Sequence, residues 1–127
     1  FPVRVYYEDT DAGGVVYHAR YLHFFERART EYLRTLNFSQ QSLLQEQQVA
    51  FVVKTMSIDY CIPAKLDDYL IVETEIMAVK GATILFEQRL VRETVVLSKA
   101  TVKVACVDLG KMKPVAIPEE LKAAFLK

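Results

Sequence analysis

The sequence predicts an α+β domain in which one long central helix is wrapped by a curved antiparallel sheet of about five strands. Three observations lead there. Hydrophobic spacing takes up a long helical period once, between about Ala19 and Asn37. Four strand-like segments then follow in succession with short connections, the pattern of an antiparallel meander. The helical stripe is broad and rich in aromatic residues, as suits a helix lying on a wide surface.

Taken in order, Val3, Val5 and Tyr7 alternate with Arg4, Tyr6 and Glu8, which gives a half-buried strand over Pro2 to Glu8. A glycine-containing loop follows. Along the helix, Tyr21, Phe25, Ala28, Tyr32 and Leu36 form one stripe, widened by Phe24, with Arg20, Arg27, Glu31 and Arg34 opposite. Asn37 suits the helix stop, and Ser39 a cap for a further short turn through Leu43 and Leu44.

Val49 to Ile62 is the next strand, ended by Pro63. Its first part, Val49 to Val53, is apolar on both faces and is expected to be buried on both. Ala64 to Asp68 is a polar connection into a strand over Tyr69 to Val79. Lys80-Gly81 turns the chain into Ala82 to Glu93, where Ile84, Phe86 and Leu90 share a face. Val95 to Val107 completes the set, with Val96, Ala100, Val102, Val104 and Cys106 on one side. Pro118 ahead of Glu119 and Glu120 opens a short C-terminal helix.

A chain of 127 residues fits a single domain over 1–127 with a core that needs no staples. It is 52% hydrophobic and 25% charged, which places it among globular rather than disordered chains. Lys+Arg and Asp+Glu balance at 16 each, so no overall field favours nucleic acid or an anionic membrane. Cys61 and Cys106 have neither the close spacing of a zinc set nor the density of a disulfide scaffold, and both are expected to be small buried apolar residues. No apolar run approaches the ~20 residues that span a bilayer. No signal segment is evident, and the chain opens at Phe1 rather than Met, which leaves the native N-terminus open.

The chemically richest stretch runs Tyr7-Glu8-Asp9-Thr10-Asp11-Ala12-Gly13-Gly14-Val15-Val16-Tyr17-His18. Asp9-x-Asp11-x-Gly13 imitates the start of a calcium loop, but its twelfth position is Arg20, where a bidentate carboxylate is required. An aspartyl-phosphate hydrolase would need a parallel α/β sheet, which the order of elements does not build. The glycines match neither phosphate-binding spacing. No serine stands in an elbow motif, and the histidines are His18 and His23 alone.

What remains is a carboxylate beside a ready-made oxyanion site. Gly13 and Gly14 permit close approach and unusual backbone angles. The first helical N–H groups, around His18, have no acceptor within the helix and would stabilise negative charge on a carbonyl oxygen. Asp11 could then attack the carbonyl carbon or activate a water. Turn-making and capping account for Asp9, Thr10 and Asp11 as well at this level, and packing or capping for His18. His23 falls on the polar side of the helix and is expected to be exposed.

The stretch continues as Ala19-Arg20-Tyr21 and Phe25-Glu26-Arg27-Ala28-Arg29, and as a whole it resembles the signature of the hotdog-fold 4-hydroxybenzoyl-CoA thioesterase family. Within that family it is most similar to the bacterial acyl-CoA thioesterase branch associated with the Tol-Pal system. Val49-Ala50-Phe51-Val52-Val53, Pro63-Ala64-Lys65-Leu66-Asp67-Asp68 and Lys111-Met112-Lys113-Pro114 carry the likeness across nearly the whole chain.

The resemblance implies hydrolysis of an acyl-CoA thioester to free acid and CoA. It makes Asp11 the catalytic nucleophile or general base and the backbone N–H at His18 the carbonyl polariser. The His18 side chain matches the Tol-Pal-associated branch and is a second catalytic candidate. Gly14, Val15 and Tyr17 are assigned to substrate binding, and Asp9 and Thr10 to shaping the loop. No metal or separate cofactor is implied, since CoA is part of the substrate.

The resemblance further implies a homodimer or homotetramer with the active site at a subunit boundary. Its setting would be cytoplasmic, at most peripheral to the inner membrane, with acyl carrier protein or phospholipid-synthesis enzymes as further partners. Lys54, Lys80 and Lys99 are candidates to hold the CoA nucleotide. An acyl-CoA-binding or docking module of low activity, linked to phospholipid synthesis or the cell envelope, would use the same pocket. A hotdog dehydratase acting on an acyl carrier protein fits less well, because it needs a differently placed His and acid. Tyr21, Phe24, Phe25 and Phe51 either line an acyl pocket or form core, and helical spacing favours core.

Overall fold

A computed structural model describes residues 1–36 and 48–125. The elements are β1 (Pro2–Arg4), one turn of 3-10 helix (Tyr7–Asp9), α1 (His18–Thr35), β2 (Val49–Tyr60), β3 (Tyr69–Lys80), β4 (Thr83–Arg92), β5 (Val95–Asp108), β6 (Lys113–Pro114) and α2 (Glu119–Phe125). The expected stop at Asn37 and the turn from Ser39 through Leu43 and Leu44 lie outside the described residues.

The sheet runs β1-β3-β4-β5-β2, with the two residues of β6 pairing on β5. Every pairing is antiparallel. The meander expected from the sequence is β3-β4-β5, with Lys80 opposite Thr83 and Arg92 opposite Val95 at its two tight turns. β2 departs from it by pairing with β5 instead of β3. The connection from Tyr60 to Tyr69 therefore passes from one side of the sheet to the other, and β2 becomes an edge strand. With α1 packed on this curled sheet, the architecture is the hotdog fold that the resemblance implies.

The core explains why α1 lies where it does. Tyr21, Phe24, Phe25, Ala28 and Leu33 are buried against Val72, Ile84, Phe86, Leu90, Val102 and Val104 of the strands. Each fully buried large apolar side chain contributes about 1.5–3 kcal/mol, so the helix start at His18 rests on a well-fixed element. Tyr32 and Leu36, expected on this stripe, are only partly buried and pack at its margin.

Four local expectations are corrected. The first strand ends at Arg4 instead of Glu8, because a 3-10 turn intervenes in which the Asp9 carboxylate accepts the Tyr6 N–H and the Asp9 N–H donates to the Tyr6 carbonyl. Burial on both faces of Val49 to Val53 does not hold: Val52 and Val53 are 49% and 46% exposed on the edge strand. Cys61 follows the end of β2 and is exposed, whereas Cys106 is buried and its thiol is pushed up by desolvation. Val96 is exposed because Leu90 pairs with Ser98 and Val91 with Val96, so a bulge turns Leu97 and Ser98 into the core.

Candidate active site

The loop between the 3-10 turn and α1 is shaped by its first acid. Asp9 is 7% exposed, and its Oδ2 takes the Tyr6 N–H at 2.9 Å while Oδ1 lies 3.5 Å from Arg20 Nε. Its carbonyl accepts the Tyr17 N–H at 2.9 Å, which ties the residue before α1 back to the turn. Thr10 Oγ1 donates to the Tyr7 carbonyl at 2.8 Å.

Asp11, by contrast, is exposed. Its Oδ1 accepts the Gly13 N–H at 2.8 Å, an Asx turn that orients the carboxylate. Among the described residues Oδ2 takes no hydrogen bond, and so remains free for chemistry. A Cβ on Gly13 would lie 3.3 Å from Asp11 Oδ1, so glycine gives the carboxylate room.

The loop is then stapled to the connection after β2. Val16 N donates to the Ala64 carbonyl at 2.8 Å, and Val15 forms a bridge with Lys65. Ala64 N donates to the buried Tyr21 hydroxyl at 3.2 Å. The motif around Pro63 to Asp68 thus serves as the wall on which the Asp11 loop is built. Gly14, Val15 and Tyr17, assigned to substrate binding, lie within this stapled turn. Gly14 and Tyr17 are exposed and Val15 is half-buried.

Gly14 has φ +80 with open space around the missing Cβ. Alanine there is expected to cost about 1 kcal/mol through backbone strain and to shift the loop. Gly81, at φ +60 and equally open, is the control in the β3–β4 turn. Gly14→Ala and Gly81→Ala are expected to lower the urea midpoint similarly, with turnover falling only in the first.

Helix α1 starts at His18, and the side chain of the preceding Tyr17 makes no cap hydrogen bond. The Arg20 N–H goes to the Tyr17 carbonyl at 2.9 Å, and the N–H groups of His18 and Ala19 have no acceptor among the described residues. The His18 ring stacks on Tyr60 with centroids 4.5 Å apart and planes at 27°, and the Tyr60 hydroxyl donates to the His18 carbonyl at 3.3 Å. Sequence reasoning did not single out Tyr60, because a tyrosine on an alternating strand reads as an ordinary strand residue.

The basic candidates are not gathered. Lys99 pairs with Glu87 at 3.4 Å, and Lys54 and Lys80 stand exposed on β2 and at the end of β3. His23 is exposed, as its place on the helix predicts. Tyr21, Phe24 and Phe25 are core. Phe51 instead lines a cavity of about 290 Å³ between α1 and β2, together with Arg29, Leu33, Ile84 and Val104. Arg29 is 9% exposed, with Nη1 donating to Gln88 Oε1 at 2.9 Å. Desolvation lowers its pKa, and the charge of Glu26 opposes that shift.

The family model of the thioesterase-like superfamily matches residues 5–125, which takes in the whole site. The chain belongs to this superfamily. Over 125 residues it is 84% identical to the acyl-CoA thioesterase YbgC of Haemophilus influenzae, covering 98% of this chain and 92% of that protein. It is 56% identical over 126 residues to the acyl-CoA thioester hydrolase YbgC of Escherichia coli, covering 98% and 93%. A crystal structure described as a probable thioesterase from Bartonella henselae superposes with a TM-score of 0.88 at 40% identity, covering 93% of this chain and 97% of that one. This superfamily membership agrees with the resemblance read from the motif over Tyr7 to Arg29. No helix among the described residues is long and apolar enough to cross a membrane.

Proposed function

We propose that the protein is an acyl-CoA thioester hydrolase that converts R–CO–S–CoA and water to the free acid and CoA. The observation that carries the site assignment is the pairing of Asp11 with an uncapped helix start. An exposed carboxylate, oriented through one oxygen and free at the other, stands in the loop that leads into the N–H groups of His18 and Ala19, which have no acceptor among the described residues. Whole-length similarity to proteins named as acyl-CoA thioesterases supports the substrate class.

In this mechanism the thioester carbonyl oxygen sits before the N-terminus of α1, where the N–H of His18 stabilises the developing oxyanion. Asp11 then acts in one of two ways. As nucleophile it attacks the carbonyl carbon, releases CoA as the thiolate and leaves a mixed anhydride for water to hydrolyse. As general base it takes a proton from the water that attacks. The His18 side chain positions water or substrate, and Gly14, Val15 and Tyr17 line the approach. An acyl-CoA panel tests the reading: saturable hydrolysis that depends on Asp11 supports it, and binding without turnover at every chain length overturns it.

The proposal includes a homodimer across the free edge of β2. A twelve-residue strand whose outer edge pairs with no other strand among the described residues, with two exposed valines, is an unusual surface to leave in water. Val53→Lys is expected to shift the protein toward monomer in sedimentation velocity, and an unchanged assembly would exclude this edge as the interface.

A further inference from the structure

We propose that Tyr60 is a positioning residue that acts through His18, and this rests on the catalytic role given to His18 above. The two residues meet only in the folded chain. Tyr60 is the last residue of β2 and His18 the first of α1. Their rings stack at 4.5 Å, and the Tyr60 hydroxyl bonds the His18 carbonyl, so one side chain holds both the imidazole plane and the helix start.

Tyr60 is itself held from behind. Its ring lies 4.9 Å from that of Tyr21, tilted at 31°, and the Tyr21 hydroxyl accepts the Ala64 N–H. Ser98, opposite Tyr60 across the sheet, donates its hydroxyl to the Asp59 carbonyl and fixes the strand end. The result is a stack of three rings, His18, Tyr60 and Tyr21, joining α1, β2 and the wall of the Asp11 loop. Burial and the neighbouring Tyr21 push the Tyr60 phenol up.

The ring itself carries no obvious burden in the core. Tyr60 is 43% exposed, and among the described residues its hydroxyl makes a single hydrogen bond of 3.3 Å, at the long end of the useful range. Stacking gives an imidazole at a helix terminus one fixed face while leaving its edge open. That is the requirement for a side chain that must point a nitrogen at water or substrate. The flat surface of the ring matters most on this account, and the hydroxyl second.

The test is a double-mutant cycle read in kcat and KM with one acyl-CoA, decanoyl-CoA. Tyr60→Phe keeps the stack and is expected to retain kcat within about threefold. Tyr60→Leu loses it and is expected to lower kcat about tenfold or more with KM little changed. In the His18→Ala background, Tyr60→Leu is expected to cause no further loss, because the group it positions is gone. A purely structural tyrosine would give the opposite pattern: equal losses in both backgrounds, tracking the thermal midpoint.

The failures separate. If His18→Ala turns over normally, the catalytic role of His18 falls and this inference falls with it. If His18→Ala is impaired but Tyr60→Leu is not, only the positioning role is overturned. Additive losses overturn it as well.

Discussion

Asp11→Asn is expected to fold like the parent protein and to lose thioester hydrolysis by about 10²–10⁴-fold, the usual worth of a group that moves the reacting proton. The fold survives because asparagine keeps the side-chain oxygen that accepts the Gly13 N–H, and because the position is exposed. A surface change of this kind moves stability by about 0.5 kcal/mol or less. The measurement is kcat/KM on an acyl-CoA beside a urea melt of the same preparation. Near-normal turnover would remove Asp11 from the mechanism. Hydrolysis in ¹⁸O water under single-turnover conditions then tests for the nucleophile: label in the Asp11 carboxylate requires an anhydride opened at the aspartyl carbonyl, which a general base never forms.

Gln88→Leu is expected to destabilise the fold by about 2–4 kcal/mol, the largest stability loss among these variants. Gln88 is fully buried on β4 and makes three bonds at once. Its Oε1 accepts from Arg29, and its Nε2 donates to the Phe25 carbonyl and to Thr74 Oγ1, each at 3.0 Å. Leucine has nearly the right volume but leaves the buried guanidinium of Arg29 without its protein acceptor. The urea midpoint should fall at an unchanged m-value. Removing Arg29 as well, as in Arg29→Leu with Gln88→Leu, should recover part of the loss, since no stranded charge remains. By comparison, Glu73→Gln touches the exposed Arg89–Glu73 pair and should cost well under about 1 kcal/mol. A Gln88→Leu loss no larger than that would show the network to be dispensable.

The contrast between what could and could not be read beforehand follows sequence distance. The β3-β4-β5 register is legible because tight turns set local pairing, and Ile84, Phe86 and Leu90 are buried as their alternation requires. The place of β2 is not legible, because nothing local says that it pairs with β5. Once it is seen as an edge strand, the exposure of Val52 and Val53 follows. Gln88 carries a signal in the sequence itself: it sits on the apolar face between Phe86 and Leu90, where a polar residue needs partners.

Asp9 and Asp11 show the same limit inside the site. Chain spacing makes them look equivalent, and only the fold buries one against Tyr6 and Arg20 while leaving the other exposed. Tyr60 was unreadable for the same reason, since its contact with His18 joins residues 42 positions apart.

The stapling of the Asp11 loop to residues 64–66 also bears on when the site comes into being. The Ala64–Tyr21 bond spans 43 residues, and the Val15–Lys65 bridge closes a similar stretch of chain. Ordering such a long excursion is entropically slow, so contacts of this separation form late. A nascent chain would present Asp11 early, yet the loop could take its shape only after β2 and the turn beyond it had emerged. In refolding, recovery of hydrolysis should therefore coincide with the final, sheet-closing phase rather than with the first appearance of helix.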